Sequence, residues 1–251
     1  MRKQKLTPEG IDHLSDKFET AHPREIITWA VENFAPNLAL SSAFQTQSAP
    51  LIHMVMEVDS KIKIFFLETG LHFWDTLFYR EQLEPIWDLN IVDLRPDRSW
   101  KNFLRRFGRD LPETDPDLCC YIRKVQPMQK AMGGLNAWLT GIRRDQTENR
   151  AKAKILEYKR DGLLRIAPLL NWTKSDIWDY ITENNIPRHP LPLSEYPSVG
   201  CKPCTRAILS GENERAGRWS GKGKTECGLH TDLFNKDKLT ELDFKLGIDK
   251  T

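Results

Sequence analysis

Leu38-Ala39-Leu40-Ser41-Ser42-Ala43-Phe44 is an apolar run that passes into a polar turn. A short apolar segment ending in turn residues fits a strand buried on both faces. The next stretch, from about Thr46 to Val58, has a helical pattern with Pro50 in its first turn, where the missing proline N–H is no loss. Outward from this pair the alternation repeats. Ile62–Leu67 reads as a second strand ending in Glu68-Thr69-Gly70, Phe73–Trp87 as an amphipathic helix, and Ile91–Leu94 as a third strand. A helix is expected near Cys120–Met132, then strands within Leu135–Ile142 and Leu163–Ile166. Thr173-Lys174-Ser175-Asp176 has the Thr-x-x-Asp spacing of a helix start, continued by Ile177–Glu183. Residues 6–34 read as helical, with Pro23 early in a second helix. Strands alternating with helices predict an α/β protein, a mostly parallel sheet with helices on both faces. Beyond Pro187 the pattern gives way to Pro- and Gly-rich sequence with three cysteines. The expected organisation is one α/β domain over 1–210, with 1–34 as its N-terminal helical segment, and a C-terminal tail over 211–251. Gly217, Gly221 and Gly223 argue that this tail is mobile.

The 251 residues, 39% apolar and 29% charged, are ordinary for a globular chain with a sizeable core. No apolar run approaches bilayer-spanning length. The basic start Met1-Arg2-Lys3 leads into no apolar signal-peptide region, so a cytoplasmic protein without a membrane partner is expected. Structural disulfides are rare in that compartment, so the five cysteines point to metal binding or catalysis. A net charge of +2 is too small to argue for nucleic acid as a partner. Arg143-Arg144, Arg150, Arg215 and Arg218 gather cationic charge locally, although a solvated surface is the ordinary role of any one such pair.

Cys201-Lys202-Pro203-Cys204 suits a redox pair, half a zinc site or part of an iron–sulfur site. Cys119-Cys120 narrows the choice. On a helix adjacent side chains diverge by about 100°, so two thiolates reach neighbouring metals of a cluster more easily than one tetrahedral ion. Cys119, Cys120, Cys201 and Cys204 therefore suit a [4Fe–4S] cluster, with a structural Cys₄ zinc site as the competing assignment. Cys227 stands apart in Lys224-Thr225-Glu226-Cys227-Gly228-Leu229-His230. His230 and nearby cations would raise its thiolate fraction, which suits a nucleophile; alone it would be an inert exposed thiol. The loop Ser41–Ser48 precedes a helix, where α/β proteins bind phosphates, but it has no glycine and matches neither phosphate-loop pattern.

Several long motifs, in order, carry a resemblance. They are Cys119-Cys120, Thr140-Gly141-Ile142-Arg143-Arg144-Asp145-Gln146, Tyr196-Pro197-Ser198-Val199-Gly200-Cys201-Lys202-Pro203-Cys204-Thr205-Arg206, Gly211-Glu212-x-x-Arg215-Ala216-Gly217-Arg218-Trp219 and Glu226-Cys227-Gly228-Leu229-His230. Over about residues 35–231 the chain resembles the assimilatory sulfonucleotide reductases, and most closely the cluster-bearing adenylyl-sulfate reductases. The resemblance implies an adenine-nucleotide α-hydrolase-like fold and a [4Fe–4S] cluster. It implies substrate contacts at Ser42, Thr69, Lys124, Arg143, Arg144, Arg150, Arg215, Arg218, Trp219 and His230. It also implies that the Cys227 thiolate takes the sulfo group of adenosine 5′-phosphosulfate as an S-sulfocysteine, and that thioredoxin or a similar dithiol protein releases sulfite. Two positions depart from the family pattern. Glu68-Thr69-Gly70 stands where Asp-Thr-Gly is usual, and Phe44-Gln45-Thr46-Gln47 is nearer to the phosphoadenylyl-sulfate branch, which typically lacks the cluster cysteines. A phosphoadenylyl-sulfate or dual-substrate reductase is thus the alternative. A zinc-stabilised nucleotide-binding module and an ATP-consuming adenylating enzyme are the more distant ones. The sequence leaves a homo-oligomer open.

Overall fold

The computed structural model describes residues 7–96, 110–159 and 162–230. Its strands are β1 (Leu38–Ser41), β2 (Lys63–Leu67), β3 (Ile91–Leu94), β4 (Ala137–Thr140), β5 (Leu156–Tyr158) and β6 (Leu164–Ile166). Among the described residues these six form one sheet in the order β3-β2-β1-β4-β6-β5. β1 runs parallel to β2 and β4, with Leu40 opposite both Ile64 and Leu139, and β4 runs parallel to β6. β5 closes the edge antiparallel to β6. The main helices are α1 (Pro8–Lys17), α2 (Pro23–Phe34), α3 (Ala49–Val58), α4 (Trp74–Ile86), α5 (Pro116–Cys120), α6 (Gln126–Met132) and α7 (Lys174–Glu183).

The apolar run of β1 follows from its central position. Leu38 and Leu40 join Ile64, Phe66, Leu139, Leu164 and Ile166 in one core, against Ile26 and Ile27 of α2, Met54 and Val55 of α3, and Ile177 and Ile181 of α7. The alternate residues Ala39, Phe65, Trp138 and Arg165 are buried too, so the sheet is covered on both faces. α7 starts as its sequence predicts. Thr173 Oγ1 accepts from Asp176 N at 3.3 Å, and the Asp176 carboxylate accepts from Thr173 N at 2.6 Å, satisfying two donors that the helix leaves open. Two features differ from expectation. β5 is an extra strand, and the helix expected near Cys120–Met132 starts earlier and holds a wide turn at Tyr121–Val125 between α5 and α6.

The contacts gather the chain into two units. The first comprises residues 1–66, 74–92 and 134–190; the second comprises 67–73, 93–133 and 191–251. Within the second unit, Arg218, Trp219 and Glu226 are buried, Trp219 only 3% exposed. Gly217 serves close approach there, because a Cβ would lie 2.3 Å from the Arg206 carbonyl oxygen. Gly221 and Gly223 take positive φ in open turns. The rest of the expected tail, 231–251, lies outside the described residues.

Candidate active site

In the first unit the β1–α3 loop is cross-bonded by its own hydroxyls. Ser42 Oγ accepts from Phe44 N at 3.0 Å and meets Ser48 Oγ at 3.2 Å, while Ser48 Oγ accepts from Gln45 N at 3.0 Å. Phe44 holds a φ of 49°, a left-handed conformation uncommon for a residue with a side chain. Its ring is fully buried and meets Phe66 edge-on at 5.5 Å, which keeps the loop in that shape.

β4 ends at Thr140 and delivers Arg143 to the same unit. The Arg143 side chain is 2% exposed. Its Nε and Nη2 donate to the two carboxylate oxygens of Asp145 at 2.9 and 3.2 Å, and Nη1 donates to Gln47 Oε1 at 2.7 Å. A buried guanidinium therefore bonds to the β1–α3 loop itself. Arg150 donates to Gln146, whose side chain also accepts from Arg143 N at 3.1 Å. Arg144 turns elsewhere. Its N–H groups go to the Glu19 carboxylate, the Asn171 side chain and the Ala153 carbonyl.

The second unit gathers the cysteines. Cys119 and Cys120 end α5, where Asp115 caps the helix by accepting from Leu118 N at 2.9 Å. Cys201 and Cys204 flank a single tight turn, and Lys202 N donates to the Leu71 carbonyl at 2.7 Å. All four thiols are buried and none is in a disulfide. Burial, then the neighbouring Cys120 sulfur, pushes the Cys119 thiol up to about 12, with Cys201 and Cys204 adding to the effect. Cys204 is raised by burial and then by Cys201. Four buried soft donors in one unit form a set whose ionisation calls for a shared cation. Among the described residues, no three His, Cys, Asp or Glu side chains are grouped as ligands of a single metal ion.

Around them lies a shell of cations and hydroxyls. Thr69 Oγ1 is 3.4 Å from Cys201 Sγ, and Arg123 donates to the Thr69 carbonyl. Arg218 is buried 4.3 Å over the Trp219 ring, with Nη1 donating to the Val199 carbonyl at 3.0 Å. Its Nε has no hydrogen-bond partner among the described residues. Gly200 makes room for this guanidinium, since a Cβ would lie 2.2 Å from Nη2. Arg215 lies 5.8 Å over the same ring and donates to the buried Glu226 carboxylate at 3.4 Å.

Cys227 is half-buried and packs against the cluster of Cys201, Cys204 and Trp219. Burial would raise its thiol, but the Lys124 ammonium, the Leu229 N–H, Arg218 and Lys224 together bring it below the ordinary thiol value. For Lys124 the balance is reciprocal. Burial favours its neutral form, yet the sulfurs of Cys201, Cys227 and Cys120 outweigh that and raise its pKa. The unit thus stabilises a thiolate at Cys227 and a cation at Lys124.

Of the site residues expected from sequence, Ser42, Arg143, Arg144 and Arg150 fall in the first unit. Thr69, Lys124, Arg215, Arg218, Trp219 and the five cysteines fall in the second. The side chain of His230 lies outside the described residues. Sequence reasoning passed over Arg123, Lys224, Glu226 and Gly200. Arg123 sits one place from Lys124, and a buried arginine inside a wide helical turn, a feature frequent at functional sites, has no spacing signature of its own.

Known proteins bear on this arrangement. Residues 37–207 match the family described as the phosphoadenosine phosphosulfate reductase domain. The chain is 36% identical to an adenosine 5′-phosphosulfate reductase of Streptomyces coelicolor, over 91% of this chain and 98% of that protein. It is 37% identical to a phosphoadenosine 5′-phosphosulfate reductase of Gloeobacter violaceus, over 88% and 93% of the two chains. Among solved structures it is similar to a phosphoadenylyl-sulfate reductase from Candida auris, with TM-score 0.69 and 29% identity, covering 80% of this chain and 98% of that one. Among the described residues, no helix is long and apolar enough to cross a membrane.

Proposed function

Starting from a chain that belongs to the phosphoadenosine phosphosulfate reductase family, we propose that it reduces adenosine 5′-phosphosulfate to sulfite and AMP, in sulfate assimilation, with Cys227 as nucleophile. The observation that carries this reading is the thiol of Cys227, held below its ordinary pKa among Lys124, Arg218 and Lys224. The thiolate attacks the sulfur of the sulfate group. The bond from that sulfur to the bridging oxygen breaks, AMP departs with the electron pair, and Cys227 carries an S-sulfo group. A thiolate of a dithiol protein such as thioredoxin then attacks Cys227 Sγ and expels sulfite. The second thiol of that protein closes its own disulfide and returns Cys227 reduced, so two thiols supply both electrons.

The chain's other residues have separate tasks. Arg218, Arg215 and Lys124 offer positive charge to the sulfate and phosphate oxygens, the arginines through planar forks and Lys124 as a point charge. Arg218 Nε is a buried donor ready for such an oxygen. In the first unit Ser42, Arg143 and Arg150 are the donors proposed for the nucleotide; in the second, Thr69, Trp219 and His230 are further substrate contacts that the family resemblance implies. Cys119, Cys120, Cys201 and Cys204 fit a [4Fe–4S] group as four buried, mutually interacting thiols, and would be its ligands. Such a group would brace the two cysteine-bearing segments and would not need to change oxidation state. The organisation that suits this chemistry is an α/β nucleotide-binding region through residue 210 followed by the segment that presents Cys227.

One observation favours the 3′-phosphorylated nucleotide as a second substrate. Gln47, bonded to Arg143, puts a neutral amide where a carboxylate would repel a 3′-phosphate. The deciding experiment compares kcat/KM for sulfite release from the two nucleotides with thioredoxin in excess. A clear preference for the non-phosphorylated form supports the main reading, and the reverse preference transfers the assignment to the second.

A further inference from the structure

Arg143 has extended backbone, with φ −130° and ψ 151°, and Arg144 opens the single 3-10 turn Arg144–Gln146. At this junction the two side chains part: Arg143 reaches Gln47 of the β1–α3 loop, whereas Arg144 reaches the N-terminal segment. There its Nη1 and Nη2 meet the two oxygens of Glu19 at 2.7 and 2.8 Å, a planar fork on a carboxylate. Nε and Nη2 also donate to the Ala153 carbonyl at 3.1 and 2.9 Å, and Nη1 also donates to Asn171. A guanidinium carries five N–H donors, and these bonds account for all five. An anionic ligand would therefore have to break one of them. Glu19 is itself fixed, because Asn171 Nδ2 donates to its carbonyl at 2.8 Å and to its carboxylate at 3.0 Å. The Arg144 backbone N–H is tied as well, donating to the Leu170 carbonyl at 2.9 Å.

We propose that Glu19 is a positioning residue for Arg143. It clamps Arg144, and the clamped backbone aims the neighbouring guanidinium at the nucleotide-binding loop. Glu19 precedes the stretch matched by the family, so the N-terminal helical segment takes part in shaping the site without touching the ligand. The inference rests on the proposed reading in one respect, that Arg143 meets the nucleotide. It also removes Arg144 from the ligand set.

The test is a double-mutant cycle of Glu19→Gln and Arg144→Gln, with the AMP dissociation constant and thermal melting as readouts. The clamp predicts that Glu19→Gln weakens AMP binding by roughly tenfold, below the ~100-fold that a 1 Å misplacement brings. It also predicts that Arg144→Gln and the double variant match Glu19→Gln, because both substitutions open the same clamp. Weak AMP binding by Arg144→Gln with normal binding by Glu19→Gln would make Arg144 a ligand and overturn the inference. A lower melting temperature with unchanged binding in all three variants would overturn it too. A second arm needs no nucleotide. Backbone amides of residues 42–47 should exchange faster in Glu19→Gln than in wild type, and unchanged exchange there refutes the clamp. If wild type binds no AMP, the nucleotide reading fails while the exchange arm still decides the clamp.

Discussion

Replacing Gly200 by alanine probes the Arg218 site through a residue that is itself inert. The added Cβ would stand 2.2 Å from Arg218 Nη2 and 2.5 Å from Cζ, whereas ordinary contact begins near 3.4 Å. The guanidinium must therefore retreat by about 1 Å, a displacement that can cost ~100-fold when the moved group serves the reaction. In free energy this is about 2.7 kcal/mol. The lost interactions are of matching size: the 3.0 Å bond to the Val199 carbonyl and the stacking on Trp219 at 4.3 Å. A bond from a charged donor is worth about 1.5–3 kcal/mol, and a desolvated cation–π contact about 2 kcal/mol. Part of the stacking survives a 1 Å shift, so ~100-fold in kcat/KM is the expected loss. The assay is sulfite release under limiting nucleotide, for Gly200→Ala, Arg218→Ala and the double variant, with melting temperatures alongside. If the glycine acts only through Arg218, the double variant is no worse than Arg218→Ala. Gly200→Ala within twofold of wild type would refute the reasoning. So would losses that simply add.

Other expectations concern separate parts of the chain. Cys201→Ser should lose bound iron and activity together in protein purified without oxygen, and stoichiometric zinc with full activity in wild type would contradict the assignment. Thr173→Ala removes the hydroxyl that caps α7 and should lower unfolding free energy by about 1 kcal/mol in urea titrations, leaving nucleotide affinity unchanged. Gln47→Glu places a carboxylate against Arg143 and should depress kcat/KM for the 3′-phosphorylated nucleotide more than for the other one. Hydrogen bonding from Arg144 holds the Glu19 carboxyl below its ordinary pKa. Its stabilising contribution is therefore full above the unfolded carboxylate range and lost as pH falls through the depressed value. The stability gap between wild type and Glu19→Gln should accordingly be present at neutral pH and close in acid; a gap independent of pH would contradict this.

The sequence made the sheet legible where strands were central. β1, β2 and β4 are largely apolar runs because both of their faces are covered, and that pattern survives without any partner in view. β5 escaped because Leu156-Glu157-Tyr158 is three residues long and half polar, as short edge strands are. The four cysteines singled out by their spacing are all buried in the second unit, but the tasks of the arginines were not legible. Arg144 and Arg218 look alike in sequence, yet one is consumed by Glu19, Asn171 and Ala153 while the other keeps a buried donor. Gly217 read as a flexible position and Gly200 drew no reading, because a sequence does not reveal that the Arg206 carbonyl or a guanidinium lies where a Cβ would be. Such contacts join residues distant along the chain and leave no local period.

The account centres on one thiol. Intact-mass and peptide analysis of the protein incubated with adenosine 5′-phosphosulfate, with no thiol reductant present, tests it most directly. The prediction is one added SO₃ group on the peptide containing Cys227, formed together with one equivalent of AMP and released as sulfite when thioredoxin is added. An adduct on Cys201 or Cys204, or AMP released with Cys227 unmodified, would contradict it.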